Sequence, residues 1–152
     1  MVRAWRIVTA RWADAAFDGE GARRYGGRWN SPGRTAIYVA GSRALAALEI
    51  LVHMSPGVAA RQNFIRFEVG IPKSFVSQLD WDQGSFQPFV GAETQAMGDR
   101  WLDDTRGLAL RVPSAVIPEE HNYLLNPRHP KYEQIEVGPP EPFAFDPRLL
   151  KK

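Results

Sequence analysis

The sequence predicts an α+β fold, a small mixed or antiparallel β core flanked by helices, in one domain over residues 1–152. Three observations carry that expectation. Four segments alternate apolar and polar residues with period two, two others carry a helical period, and the two kinds do not alternate regularly along the chain. A doubly wound parallel sheet would need that regular alternation. With 152 residues, 44% of them hydrophobic and 24% charged, the chain can bury a core of its own.

In chain order, the first strand is predicted over 4–8 (AWRIV), and a short helical piece follows around 10–24. The second strand, 35–40 (TAIYVA), places Tyr38 with Ala36 and Ala40 on one face and Ile37 with Val39 on the other. Ser42 can N-cap a helix running to about His53, with Pro56-Gly57 as its stop. In the third strand, 63–72, Phe67, Val69 and Ile71 share one face while Arg66 and Glu68 share the other. A helix at about 91–104 sets Ala92, Ala96 and Met97 on one side, followed by Trp101. The fourth strand, 108–114 (LALRVPS), leads into an Asn- and His-rich stretch without clear period, and VGPPEPFAFDP reads as an extended tail.

Several function classes are excluded at this level. No apolar run approaches the roughly 20 residues of a bilayer span, and MVRAWRIVTARW alternates too much for a signal peptide, so a cytoplasmic location without membrane contact is expected. The chain has no cysteine, hence no disulfide and no thiolate metal site. His53, His121 and His129 lack metal-ligand spacing, so no metal is expected. There is no basic helix and no basic run beyond two residues, which argues against direct nucleic-acid contact. The net charge of +2 is unevenly divided. Residues 1–66 hold ten arginines against Asp14, Asp18, Glu20 and Glu49, for +6, and the remainder carries −4. An arginine-rich half suits an anionic ligand, because guanidinium forks grip phosphate and carboxylate.

Glu49 is the anomaly of the sequence. Helical spacing puts it on a stripe with Leu45, Leu48 and Val52, where a carboxylate must be paired, protonated or open to a pocket. Arg28 and Arg34, the basic residues of the preceding loop, are the expected partners if it is paired. The loop YGGRWNSPG, 25–33, combines three glycines, an asparagine and a proline around Arg28, so its backbone can approach a ligand closely. It satisfies no nucleotide fingerprint. Tyr38, between two alanines on its face, has room beside its ring for a flat ligand or a place in the core. Ser114 ends a strand outside any nucleophile-elbow frame and reads as a hydrogen-bonding hydroxyl.

Together, GGRWNSPG, AIYVAGSRALAALEILVH and VPSAVIPEEHNYLLNPRHP resemble, in order and spacing, the RES domain, the toxin half of RES–Xre toxin–antitoxin systems. The family is named for an Arg, a Glu and a Ser, and the resemblance runs from about residue 3 to about 147. It implies a fold like that of ADP-ribosyltransferase toxins, with a cleft for NAD⁺. It implies cleavage of the nicotinamide–ribose bond by hydrolysis or phosphorolysis, or transfer of ADP-ribose to a protein, with NAD⁺ as substrate and no other cofactor. It also implies a cognate Xre-type antitoxin as partner and leaves room for a homodimer within that complex. Carried onto this chain, Arg28, Tyr38 and Glu49 are the expected catalytic residues, with Arg28 and Tyr38 also binding NAD⁺. Ser114 and Asn122 are expected to position ribose or nicotinamide, while Asn126 shapes the following turn.

Overall fold

The computed structural model describes residues 1–79 and 91–151. The chain runs β1 (Val2–Thr9), α1 (Glu20–Tyr25), β2 (Ile37–Ala40), α2 (Arg43–His53), α3 (Pro56–Ala60), β3 (Phe64–Ile71) and β4 (Val76–Gln78). It continues with α4 (Gly91–Asp104), β5 (Ala109–Pro113), β6 (His121–Leu125), β7 (Glu136–Val137) and β8 (Glu141–Phe143). The strands form one sheet in the order β4-β5-β6-β2-β1-β3-β7, with β8 also on β3. Among the described residues all strand pairings are antiparallel except β4 with β5. A mixed sheet flanked by helices is the α+β arrangement expected.

The register sorts the side chains onto two faces. Across β1, β3, β2, β6 and β5, one face carries Ala4, Val69, Ile71, Ile37, Val39, Leu125 and Ala109, all buried, with Phe17 and Tyr132 against them. The opposite face carries Ile7 and Ala40 under α2, and Leu110, Val112 and Leu124 under Trp29, Met97, Trp101 and Leu102. Strands covered on both faces lose the simple in-out alternation, which is why β6 ends in two consecutive buried leucines.

Several elements differ from expectation. β6 lies in the stretch expected to be irregular, and it joins β5 to β2. Pro56 does not simply stop α2. It occupies the first turn of α3, where a missing N–H costs nothing, and Ser55 caps that helix through its Oγ at 3.3 Å from the Val58 amide. The tail is extended but paired, through β7 and β8 on β3, and it buries Phe145. On α4, Ala92 and Ala96 face outward. The helix turns Thr94, Met97, Gly98 and Leu102 inward instead, because a polar threonine and a glycine serve the loop beneath it. α2 has the expected cap, the Leu45 amide donating to Ser42 Oγ at 3.0 Å.

β1 and β2 share one register pair, Trp5 with Ala40. Beside it, the Arg6 guanidinium donates to the carbonyls of Ala16 and Tyr38 at 2.7 and 2.9 Å, and burial lowers its pKa from the ordinary arginine value.

Gly98 sets a clear test of how α4 is seated. A Cβ there would overlap the carbonyl of Trp29. Alanine gains roughly 1 kcal/mol of helix propensity over glycine, so propensity alone predicts stabilisation by Gly98→Ala. We expect the opposite, a net loss of about 1–3 kcal/mol from overpacking, seen as a melting temperature lowered by several degrees. An unchanged or raised melting temperature would show that α4 can move off the loop freely.

Candidate functional site

α2 brings Glu49 over the face of the sheet that carries Ala40 and Asn122. The inward side of the helix is Leu45 and Ala46, flanked by Ala47, Ile50, Leu51 and Met54. Leu48 and Val52 are 36% and 57% exposed, so of the stripe expected to be buried with Glu49 only Leu45 belongs to the core face. The helix is apolar nearly all round, and its pattern cannot choose which column faces inward. Glu49 therefore sits at the border of the buried face, half-exposed.

Its partners are polar and uncharged. Ser114 Oγ donates to Glu49 Oε1 at 2.8 Å, and Asn122 Nδ2 donates to the same oxygen at 2.9 Å. Glu49 forms no ion pair among the described residues, and Arg34 lies elsewhere, bonded to Asp103 at 2.8 and 2.9 Å and within 3.4 Å of Asp99. Neither arginine of the loop therefore neutralises the acid. Ser114 is fully buried, and its Oγ also accepts the amides of Val116 and Ile117 at 3.0 and 3.1 Å. A serine hydroxyl holds one donor and two acceptor sites, and all three are used. Asn122 Oδ1 is buried and accepts from no described residue.

The loop carrying Arg28 is clamped from two sides. From the sheet, the Tyr38 hydroxyl accepts the Trp29 amide at 3.0 Å and donates to Asn30 Oδ1 at 2.6 Å. Burial is the main cause that pushes the phenol well above the ordinary tyrosine range, so it works as a neutral donor. Asn30, fully buried, spreads its amide over the carbonyls of Ala22, Ser31 and Arg34. Gly27 is required here, since a Cβ would stand 2.7 Å from the Tyr38 hydroxyl. From α4, Thr94 Oγ1 donates to the Arg28 carbonyl at 2.6 Å, Gln95 Nε2 to the Gly27 carbonyl at 3.0 Å, and Asp99 accepts from Ser31. Trp29, 2% exposed, drives the turn into the core, and Arg28 beside it is half-exposed.

Glu49, Ser114 and Asn122 are thus in direct contact, and Tyr38 stands on the same face of the sheet as Asn122. Arg28 belongs to the loop that Tyr38 anchors through the Trp29 amide. Asn126 turns the chain, donating to the Leu102 carbonyl at 3.1 Å and accepting the Arg128 amide at 3.1 Å. Sequence reasoning missed Asn30, Thr94, Gln95 and Asp99. The asparagine offered a signal, a polar residue inside a Gly/Pro loop, but the α4 residues lie 65 or more positions from their partners. Among the described residues no three His, Asp or Glu side chains gather as a metal site, and no helix is long and apolar enough to cross a membrane.

Residues 3–146 match the family model described as RES domain. A Yersinia enterocolitica protein named Toxin Res is 40% identical over 149 residues, which cover 95% of this chain and 97% of that protein. A Sphingobium protein named Prs ADP-ribosylating toxin is 34% identical, covering 97% of this chain and 96% of that protein. A chain of the M. tuberculosis MbcT-MbcA toxin-antitoxin complex has the same fold, with a TM-score of 0.72 over 97% of this chain and 86% of that one, at 21% identity.

Tyr38→Phe tests the clamp. It leaves the Trp29 amide without its acceptor and Asn30 Oδ1 without its donor, at a cost of about 1–3 kcal/mol. The expected outcome is a lower melting temperature with faster hydrogen exchange at the Trp29 amide. Unchanged exchange there would mean that α4 alone holds the loop.

Proposed function

The chain belongs to the RES domain family of toxins, and from that premise we propose that it arrests growth by cleaving the nicotinamide–ribose bond of NAD⁺. The observation that carries this reading is the state of Glu49. Two donors fix one carboxylate oxygen, and the other oxygen takes no bond among the described residues. The fixed oxygen orients the side chain, and the second is available to a ligand. Breaking the nicotinamide–ribose bond builds positive charge on the sugar, as in glycoside cleavage. A preorganised carboxylate stabilises that charge without reorganising during the step. Nicotinamide leaves as a neutral group, so no general acid is needed, which agrees with a site built around one carboxylate.

The other residues take roles that their chemistry permits. Arg28 offers a guanidinium fork to the pyrophosphate. The Tyr38 ring offers a face to nicotinamide while its hydroxyl holds the loop. Water or phosphate would accept the released ribosyl group. The partner is an antitoxin that covers the cleft, and an acidic or C-terminal carboxylate segment would complement its arginines.

A second reading keeps the same cleft and changes the acceptor. The relative named Prs ADP-ribosylating toxin favours transfer of ADP-ribose to a protein. Incubating the purified chain with NAD⁺ alone separates the two, because a pure transferase consumes little without its target.

Glu49→Gln is the sharpest variant. Glutamine can keep its Oε1 toward Ser114 and Asn122 and replaces only the second oxygen. We expect NAD⁺ consumption to fall about 100-fold or more at an unchanged melting temperature, and growth inhibition to be lost with it. Consumption and products are followed with and without phosphate. Full toxicity in Glu49→Gln at wild-type expression would overturn the electrostatic role, and loss of folding would make Glu49 a structural residue instead.

A further inference from the structure

Ser114 and Asn122, the two supports of Glu49, stand where β5 and β6 reach the turn between them. His121, the neighbour of Asn122, is in register with Pro113, the neighbour of Ser114. It turns its carbonyl toward β2, accepting the Gly41 amide at 2.9 Å, and reaches β5 by its side chain. Arg111 Nη2 donates to His121 Nδ1 at 3.0 Å, along the diagonal between the pairs Arg111–Tyr123 and Pro113–His121. A guanidinium has no acceptor, so Nδ1 is bare and the imidazole is neutral, with its proton on Nε2. Asn122 faces Glu49, so His121, one residue before it, lies with Arg111 on the other face of the sheet. The bridge ties together, from behind, the strand ends that carry Ser114 and Asn122.

Both side chains are half-buried, and among the described residues no carboxylate is in ion-pair contact with either. Of the strands packed on β6, β5 brings Arg111 as its charged residue and β2 brings none, its Tyr38 pointing to the opposite face. β4 sets the uncharged Gln78 in register with Arg111, and Tyr123 lies two residues along the same face of β6. Glu119 and Glu120, just before β6, are exposed. Burial, and after it the Arg111 charge, hold the His121 pKa below the ordinary imidazole value. A proton taken up at Nδ1 removes the acceptor of Arg111 and sets two cations against each other. The folded chain therefore binds that proton less readily than the unfolded one. The contribution of the bridge is whole above about pH 6.5 and is lost as the pH falls below it. We propose that His121 is a positioning residue for Glu49, which through Arg111 holds the strand ends of Ser114 and Asn122 while its ring is neutral and releases them in mild acid. The effect on turnover rests on the NAD⁺ reading above, whereas the loosening of the two supports does not.

The test compares the full chain with His121→Asn, which keeps an acceptor near the Nδ1 position and cannot titrate, and with His121→Ala, which removes it. Hydrogen exchange of the Ser114 amide and the Asn122 side-chain N–H is followed by NMR at about pH 7 and about pH 5. Each variant is set against wild type at the same pH, so that intrinsic exchange rates cancel. Expected is exchange within about threefold in wild type and His121→Asn at the higher pH, and about 10-fold faster in wild type at the lower. His121→Ala should exchange fast at both. NAD⁺ consumption should follow, kcat falling about 10-fold more in wild type than in His121→Asn on acidification, with KM little changed. An exchange ratio of wild type to His121→Asn that is the same at both pH values overturns the proposal. Should His121→Asn fail to fold, wild-type protection of these two groups, taken relative to an unstructured chain and unchanged on acidification, overturns it equally. If the ratio shifts as expected while the chain consumes no NAD⁺ at either pH, the NAD⁺ reading falls and the positioning role stands.

Discussion

The site depends on how two halves of the sheet are joined. β1 and β2 meet at a single pair, Trp5 with Ala40, and the Arg6 guanidinium closes the seam beside it by donating to the carbonyls of Ala16 and Tyr38. A backbone carbonyl left unmet in the interior is costly, and so is a buried guanidinium, but each resolves the other. Among the described residues no carboxylate is in ion-pair contact with Arg6, whose charge is supported by the two carbonyls, by the face of Phe17, 6.0 Å from the guanidinium, and by the more distant Asp18. α2 lies across the same seam, touching both β1 and β2, which sets the height at which Glu49 stands over β6.

From that seam the arrangement is passed along by hydrogen bonds rather than by ion pairs. Arg6 fixes the Tyr38 backbone, the Tyr38 hydroxyl fixes the turn before Asn30, and α4 closes the turn from the other side. Arg34 is committed to Asp99 and Asp103 of α4, and the Arg28 carbonyl accepts from Thr94 of the same helix. A preorganised loop loses little conformational entropy when it meets a ligand, and the cost of holding it is met during folding.

The strands with one open face were legible from the sequence, and so was the cap of α2. Phe67, Val69 and Ile71 share the face that their alternation predicts, and Ser42 caps as its position suggests. What escaped was set by tertiary contact. β6 carries His121, Asn122 and Tyr123 followed by two leucines, so no period survives in a strand that meets Glu49 at one end and is covered on both faces at the other. The anomaly at Glu49 was visible because a carboxylate interrupts an apolar helix. Its partners were not, because charge suggested arginine while the fold supplied a serine and an asparagine.

Glu49 meets Ser114 and Asn122 across 65 and 73 positions of chain. Contacts of such span form late, since the loop between them must close before they repay its entropy. During synthesis from the N-terminus, a ribosome that has made α2 and even α4 has made a chain whose carboxylate is still unsupported. The supports arrive only when β5 and β6 have emerged and paired with β2. The carboxylate is therefore left unsupported in the growing chain by topology alone until β5 and β6 are in place.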